Sequence, residues 1–179
     1  MRLVEAEVYV DWGEMSRGFV KEGDQEEVPM VPPRAYLPSG VANYVTPEGL
    51  NLLIAERKAL LDERDGIKES GQEADARVMR NFINAKLELL ENRIKSAQVV
   101  NVPQKSNNPE IAFGTTVTME MDGVEMRVQI TGVDEANGNR QKIPFTSPLA
   151  KSMMGRKEGD SFEVVLPSGK KNVKIVSTK

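Results

Sequence analysis

Neither cysteine nor histidine occurs anywhere in the 179 residues. Without cysteine there is no disulfide and no thiol nucleophile, a usage that suits the reducing cytoplasm. Without histidine the commonest general base and metal ligand is missing. Ser–His and Cys–His catalysis and His-ligated zinc are thereby excluded. A bound metal would need carboxylate or carbonyl oxygens, the donors that suit Mg²⁺ or Ca²⁺. No run of about 18 apolar residues exists, so no membrane span is expected. The opening MRLVEAEVYVDWGEM is acidic and lacks the apolar stretch of a signal peptide. A cytoplasmic protein is the expectation. An excess of positive charge is also lacking: Lys and Arg number 24 against 27 Asp and Glu. General binding to a polyanion is not expected of such a chain. The hydrophobic fraction of 39% is low for a compact globule and suits an elongated molecule.

What is present divides unevenly. Residues 1–45 hold eight acids and four bases, and four of the ten prolines: Pro29, Pro32, Pro33 and Pro38. Proline removes a backbone donor and favours extended conformations. An irregular or loosely docked arm is expected here, dispensable for folding, with one possible strand at RLVEAEVYV. Residues 46–99 read as two helices. Thr46 is placed to cap the first and Pro47 to open it. Leu50, Leu53, Leu60 and Ile67 form its stripe, widened by Leu52, Ile54 and Leu61. Ser70-Gly71 breaks the pattern. The second stripe is Met79, Ile83, Leu87, Leu90, Ile94 and Ala97, at helical spacing. Neither helix can bury its stripe alone, so an antiparallel hairpin is expected.

A linker spans 100–112, and beyond it the period changes to two. Thr115–Met121 and Val124–Val133 flank Asp122-Gly123, a strong hairpin turn. Strands are expected at Lys142–Phe145, Phe162–Leu166 and Asn172–Val176, and a short helix at Ser147–Met154. The fold class is α+β: an N-terminal antiparallel coiled-coil hairpin, then a small antiparallel β-sheet domain over 113–179 with one short helix. Phe113, Phe145 and Phe162 are expected core.

Local sequences add a resemblance. YVTPEGL (44–50), AQVVNV (97–102), FGTTVTM (113–119), ITGVDEA (130–136), TSPLAKSMMGRKEGD (146–160) and LPSGKKNVKIV (166–176) are similar, in order, to successive elements of the GreA/GreB transcript-cleavage factors. The resemblance implies an FKBP-like C-terminal domain that docks on core RNA polymerase at the rim of its secondary channel. It implies a hairpin that enters the channel, near the nascent RNA and DNA of the elongation complex. A monomer without enzymatic turnover is implied, one that at most activates the polymerase's own RNA cleavage. In cleaving members, tip acids help hold a catalytic Mg²⁺, with one metal's ligands supplied in trans. No cofactor of the chain's own is implied beyond that shared Mg²⁺.

The tip departs from the cleaving pattern. ERDGIKESGQEADAR (63–77) has no Gly-Asp-x-Ser-Glu-Asn motif, and the hairpin looks short. Short-hairpin relatives bind polymerase without the usual cleavage activity. Glu69, Glu73 and Asp75 are the candidate Mg²⁺-binding acids; the alternative is a solvated turn whose acids favour a helix N-terminus. Ser147 and Pro148 match the Ser-Pro of the polymerase-docking loop, with Thr146 at the preceding candidate contact where the family often has Asn or Asp; the alternative is that Ser147 and Pro148 simply serve as helix cap and first residue. Asp134 and Glu135 either touch the polymerase rim or form a turn. An isomerase or chaperone is the remaining alternative. Its pocket would need several exposed aromatic walls, and aromatic residues are only 5% of the chain.

Overall fold

The computed structural model describes residues 30–67, 73–101 and 110–179. The expected strand at RLVEAEVYV lies outside the described residues. Two helices form one layer, α1 (Pro47–Asp65) and α2 (Glu73–Ser96). Thr46 caps α1 as expected: its Oγ1 accepts from Gly49 N at 2.9 Å. Val45 and Leu50, flanking the cap, share one apolar cluster, the arrangement of a hydrophobic staple. Gly66 closes α1 by donating to the Asp62 carbonyl at 3.0 Å. The helix therefore ends earlier than the stripe through Ile67 suggested.

Leu53 and Leu60 of α1 meet Ile83, Leu87 and Leu90 of α2 in a buried cluster. The helices run antiparallel. At one end, Asn43 Nδ2 donates to the Arg93 carbonyl at 2.9 Å. At the other, Arg80 Nη2 donates to the Ile67 carbonyl at 3.1 Å. Leu52 and Ile54 do not widen the buried stripe, nor does Met79 join it: they are 46%, 47% and 48% exposed. Each residue turns the helix by about 100°, so neighbours of a buried Leu53 face outward.

Two short strands at the hairpin's base were not expected. β1 (Asn43–Val45) and β2 (Ala97–Val99) pair in parallel, Tyr44 opposite Gln98. The expectation of an irregular arm through residue 45 is revised accordingly.

Five strands form the second layer: β3 (Thr116–Met121), β4 (Val124–Thr131), β5 (Lys142–Pro144), β6 (Ser161–Leu166) and β7 (Gly169–Thr178). Their order is β5-β4-β3-β7-β6. Asp122 and Gly123 turn β3 into β4 with φ of 49° and 82°. Both values are positive, as a type I′ turn requires. The sheet is not wholly antiparallel, because β4 and β5 pair in parallel, Gln129 opposite Lys142. Residues 132–141, with a 3-10 turn at Gly138–Arg140, return the chain to a point beside Gln129, which a tight hairpin cannot do. The helix α3 (Pro148–Met153) buries Ala150 and Met153 completely.

Phe113 and Phe145 lie in the sheet core, as expected. Phe162 is only partly buried, beneath the Arg156 guanidinium at 4.2 Å from its centroid. Tyr44, at the hairpin base, packs on Phe113 and Phe145 with centroids 5.9 and 5.6 Å away. Hairpin and sheet are thus joined through an aromatic cluster. Among the described residues, no helix is long and apolar enough to cross a membrane.

Leu90 is fully buried between the helices. Leu90→Ala is expected to cost about 2–5 kcal/mol, whereas Leu52→Ala should stay within about 0.5 kcal/mol. Urea unfolding followed by circular dichroism measures both.

Candidate functional site

Three regions carry the residues singled out above. At the tip, Glu69 lies outside the described residues. Glu73 and Asp75 occupy the first turn of α2 and are exposed. Acids there favour the helix N-terminus electrostatically. They are two residues apart, and helical residues so spaced do not face each other. Among the described residues, no group of three or more Asp or Glu side chains is arranged to hold a metal ion. Taken alone, Glu73 and Asp75 do not face one another on the helix.

The second region is the loop from β5 into α3. Thr146 and Ser147 are half-buried and Pro148 is exposed. Ser147 Oγ accepts from Ala150 N at 3.2 Å and caps the helix. Ser147 N donates to the Pro144 carbonyl at 2.9 Å, which tightens the turn. These three residues form one contiguous patch beside the end of the sheet.

The third region is the joint between hairpin and sheet, and there Asp134 and Glu135 form the turn that was one of their two readings, with Glu135 N donating to the Gly132 carbonyl at 3.2 Å. Neither carboxylate is offered to a partner. Glu135 is 6% exposed. Its Oε1 accepts from Thr46 N at 2.8 Å and Gly132 N at 3.3 Å, and its Oε2 accepts from Thr46 Oγ1. A Cβ on Gly49 would lie 2.1 Å from the Glu135 carboxyl carbon, and one on Gly132 would lie 2.6 Å from the Tyr44 carbonyl. Both positions need glycine so that the chains can approach.

Asp134 lies one residue away with its side chain 4% exposed. Oδ1 accepts from Arg34 Nε at 3.0 Å. Oδ2 sits 3.0 Å from Arg93 Nε, a charge pair without an aligned hydrogen bond. Arg34 also forks onto Glu56 of α1, at 2.9 and 3.0 Å. That paired hydrogen bond, with the Asp134 charge beside it, holds the Arg34 guanidinium above its ordinary pKa against the cost of burial. Arg93 of α2 in turn donates to the Ala35 carbonyl. Lys142 of β5 meets Glu48 of α1 at 2.9 Å.

Arg34, Glu56, Arg93 and Tyr44 were not picked out from sequence. Arg34 carried a faint signal: it is the one base between Lys21 and Thr46, set among prolines. The expected loose arm is revised again here, since its C-terminal portion is bound to both helices and to the sheet.

The family model and the sequence relatives name the same family. The model of the family described as "Transcription elongation factor, GreA/GreB, C-term" matches residues 105–179. Transcription elongation factor GreA of Thioalkalivibrio sulfidiphilus is 34% identical over 119 residues, covering 65% of this chain and 75% of that protein. GreA of Xanthomonas axonopodis pv. citri is 35% identical over 134 residues, covering 73% and 81%. The crystal structure of GreA factor homolog 1 from Thermus thermophilus aligns over 78% of this chain and 99% of that one, at 24% identity and a TM-score of 0.37.

Glu135→Ala leaves two buried N–H groups and the Thr46 hydroxyl without an acceptor, and is expected to cost about 3 kcal/mol. Glu135→Gln, which keeps one acceptor oxygen, should cost less; chemical denaturation compares the two. A chain beginning at Ala42 loses the Arg34 bonds and the Leu37 contact with the sheet core. A loss of about 2 kcal/mol is expected, and a thermal midpoint lower by roughly 4–8 °C in calorimetry.

Proposed function

This chain belongs to the GreA/GreB family of transcription elongation factors, and from that premise we propose that it binds core RNA polymerase at the secondary channel and regulates elongation there without supplying metal ligands of its own. The observation that carries the second half is the placement of Glu73 and Asp75 in the first turn of α2. Glu73 and Asp75 diverge on α2, and ligation of Mg²⁺ needs donors at about 2.1 Å in near-ideal octahedral geometry. A carboxylate displaced by a few ångströms is not a ligand. The hairpin fills the channel and competes with factors that do carry a cleaving tip.

The sheet region supplies attachment. The loop Thr146–Ser147–Pro148 is held rigid by the cap on Ala150 N and the bond to Pro144, and Pro148 faces outward. A preorganised loop loses little freedom on docking. The hairpin is anchored beside it through Glu135 and Thr46, so one bound surface positions the other. No turnover belongs to the protein itself, because any cleavage uses the polymerase's active site. An isomerase reading finds no support: Phe113 and Phe145 are packed against each other at 5.7 Å and covered by Tyr44, which leaves no open aromatic pocket between them.

The test is a backtracked elongation complex with radiolabelled transcript. The intact protein is expected to bind core polymerase but not to accelerate cleavage, and to slow cleavage by an added cleaving Gre factor. Ser147→Ala with Pro148→Ala should weaken binding about tenfold, as expected for a loss near 1.4 kcal/mol. Glu73→Ala with Asp75→Ala should compete as the parent does. Robust cleavage that this double variant abolishes would overturn the reading of the tip. Absence of polymerase binding would overturn the function as a whole.

A further inference from the structure

The joint has a second support besides Glu135. Among the described residues, the polar ties from the start of α1 to the sheet side, Thr46 to Glu135 and Glu48 to Lys142, lie together at the first turn of the helix. Ties confined to one turn form a pivot. Glu56 lies ten residues further along α1, about 15 Å from that pivot at 1.5 Å per residue. There Arg34 takes both Glu56 oxygens and also binds Asp134 on the sheet side. The segment that carries Arg34 is fixed at both flanks. Pro32 and Pro33 stiffen it on one side, and Leu37 packs on the sheet core on the other. Arg93 adds α2 through the Ala35 carbonyl and Asp134.

We propose that residues 31–38 are a strap that sets the angle of the helical hairpin to the sheet, with Arg34 as its positioning residue. A pivot and a stay at two separate points define a direction, where either alone does not. The lever is long: the 19 residues of α1 extend about 28 Å, so a tilt of about 10° at the pivot moves the far end by about 5 Å. Arg34 suits the task because a planar guanidinium can give two parallel bonds to one carboxylate and a third to another. A lysine at this position supplies a point charge and no fork. The strap rests on contacts within the chain alone; its effect on polymerase rests on the function proposed above.

The absence of cysteine makes the test direct. Val78→Cys on α2 and Val165→Cys on β6 replace side chains 51% and 65% exposed, and spin labels there report one distance. The full chain is expected to give a single narrow distribution. Arg34→Ala should broaden it or shift it by several ångströms while the far-ultraviolet circular dichroism holds. Arg34→Lys should fall between the two. Glu56→Gln changes a largely exposed side chain, 45% accessible, and should broaden the distribution with little change in stability. It therefore decides the matter even if Arg34→Ala unfolds. Unaltered distances in Glu56→Gln, with those of Arg34→Ala likewise unaltered or that variant unfolded, would overturn the strap and leave polymerase binding untouched. In competition on the backtracked complex, Arg34→Ala should need several-fold more protein than the parent. Failure of the parent to bind polymerase would sink the function and not the strap, because the distances are measured on the free chain.

Discussion

The buried carboxylate of Glu135 is the constraint on which the arrangement depends. A charge withdrawn from water is costly unless hydrogen bonds replace its hydration. Here the replacement comes from Thr46 N, Thr46 Oγ1 and Gly132 N. Two of those three donors belong to the residue that caps α1. The cap hydroxyl is shared: it donates to Glu135 and accepts from Gly49 N. One continuous chain of hydrogen bonds therefore runs from the sheet's loop into the first turn of the hairpin. The start of the helix and its attachment are a single structure, and neither can be altered alone. Glycine at 49 and 132 follows from the same need, because any Cβ would occupy space taken by the carboxylate or by the Tyr44 carbonyl.

Around this bond the charges are grouped by function. Asp134 gathers Arg34 and Arg93, and Arg34 gathers Glu56. Pairs such as Lys170–Glu163 and Arg64–Asp65 lie at the exposed surface, where screening leaves an ion pair worth about 0–1 kcal/mol. The pairs centred on Asp134, whose side chain is 4% exposed, differ in kind. Removing one partner strands another inside. They are thus better suited to fixing an orientation than to adding stability. Arg34 keeps its proton throughout the accessible pH range, since its guanidinium is held above a pKa that is already high. Its end of the clamp does not switch off with pH.

Local rules were legible in the sequence wherever both partners of an interaction are close along the chain. Thr46 with Gly49, Ser147 with Ala150, and the Asp122-Gly123 turn are separated by at most three residues. Each follows from backbone chemistry alone. The paired stripes were legible because helical periodicity repeats the signal several times. Leu52 and Ile54 were misassigned because a cluster of apolar letters says little about which of them faces the partner. Asp134 and Glu135 form the turn that was one of their two readings, but their burial was not foreseen. Their partners Arg34 and Thr46 lie 100 and 89 residues away. Nothing in the neighbouring sequence marks a carboxylate as buried when the donors come from the far end of the chain. β1 and β2 escaped because three residues are too short for alternation to show, while β4 and β5 were expected as strands but alternation says nothing of their parallel pairing.

The parallel β4–β5 pairing has a consequence that an antiparallel one would not. Thr131 lies opposite Pro144, and Phe145 N donates to the Thr131 carbonyl at 2.9 Å. Strands that run the same way leave the sheet at the same end. Gly132–Glu135, which holds the hairpin, and Thr146–Pro148, which caps α3, therefore emerge side by side. In an antiparallel pair the two loops would sit at opposite ends of the strands. A macromolecule seated on Pro148 lies next to the root of the hairpin and not at the remote side of the sheet. Its contact reaches the hairpin through few intermediaries: one ladder bond at Thr131, then the loop to Glu135, then Thr46. Rigid coupling over so short a path means that attachment at the sheet fixes where the far end of the helices points. The direction taken by the far ends of the helices is then a property of two loops and one strap near the base.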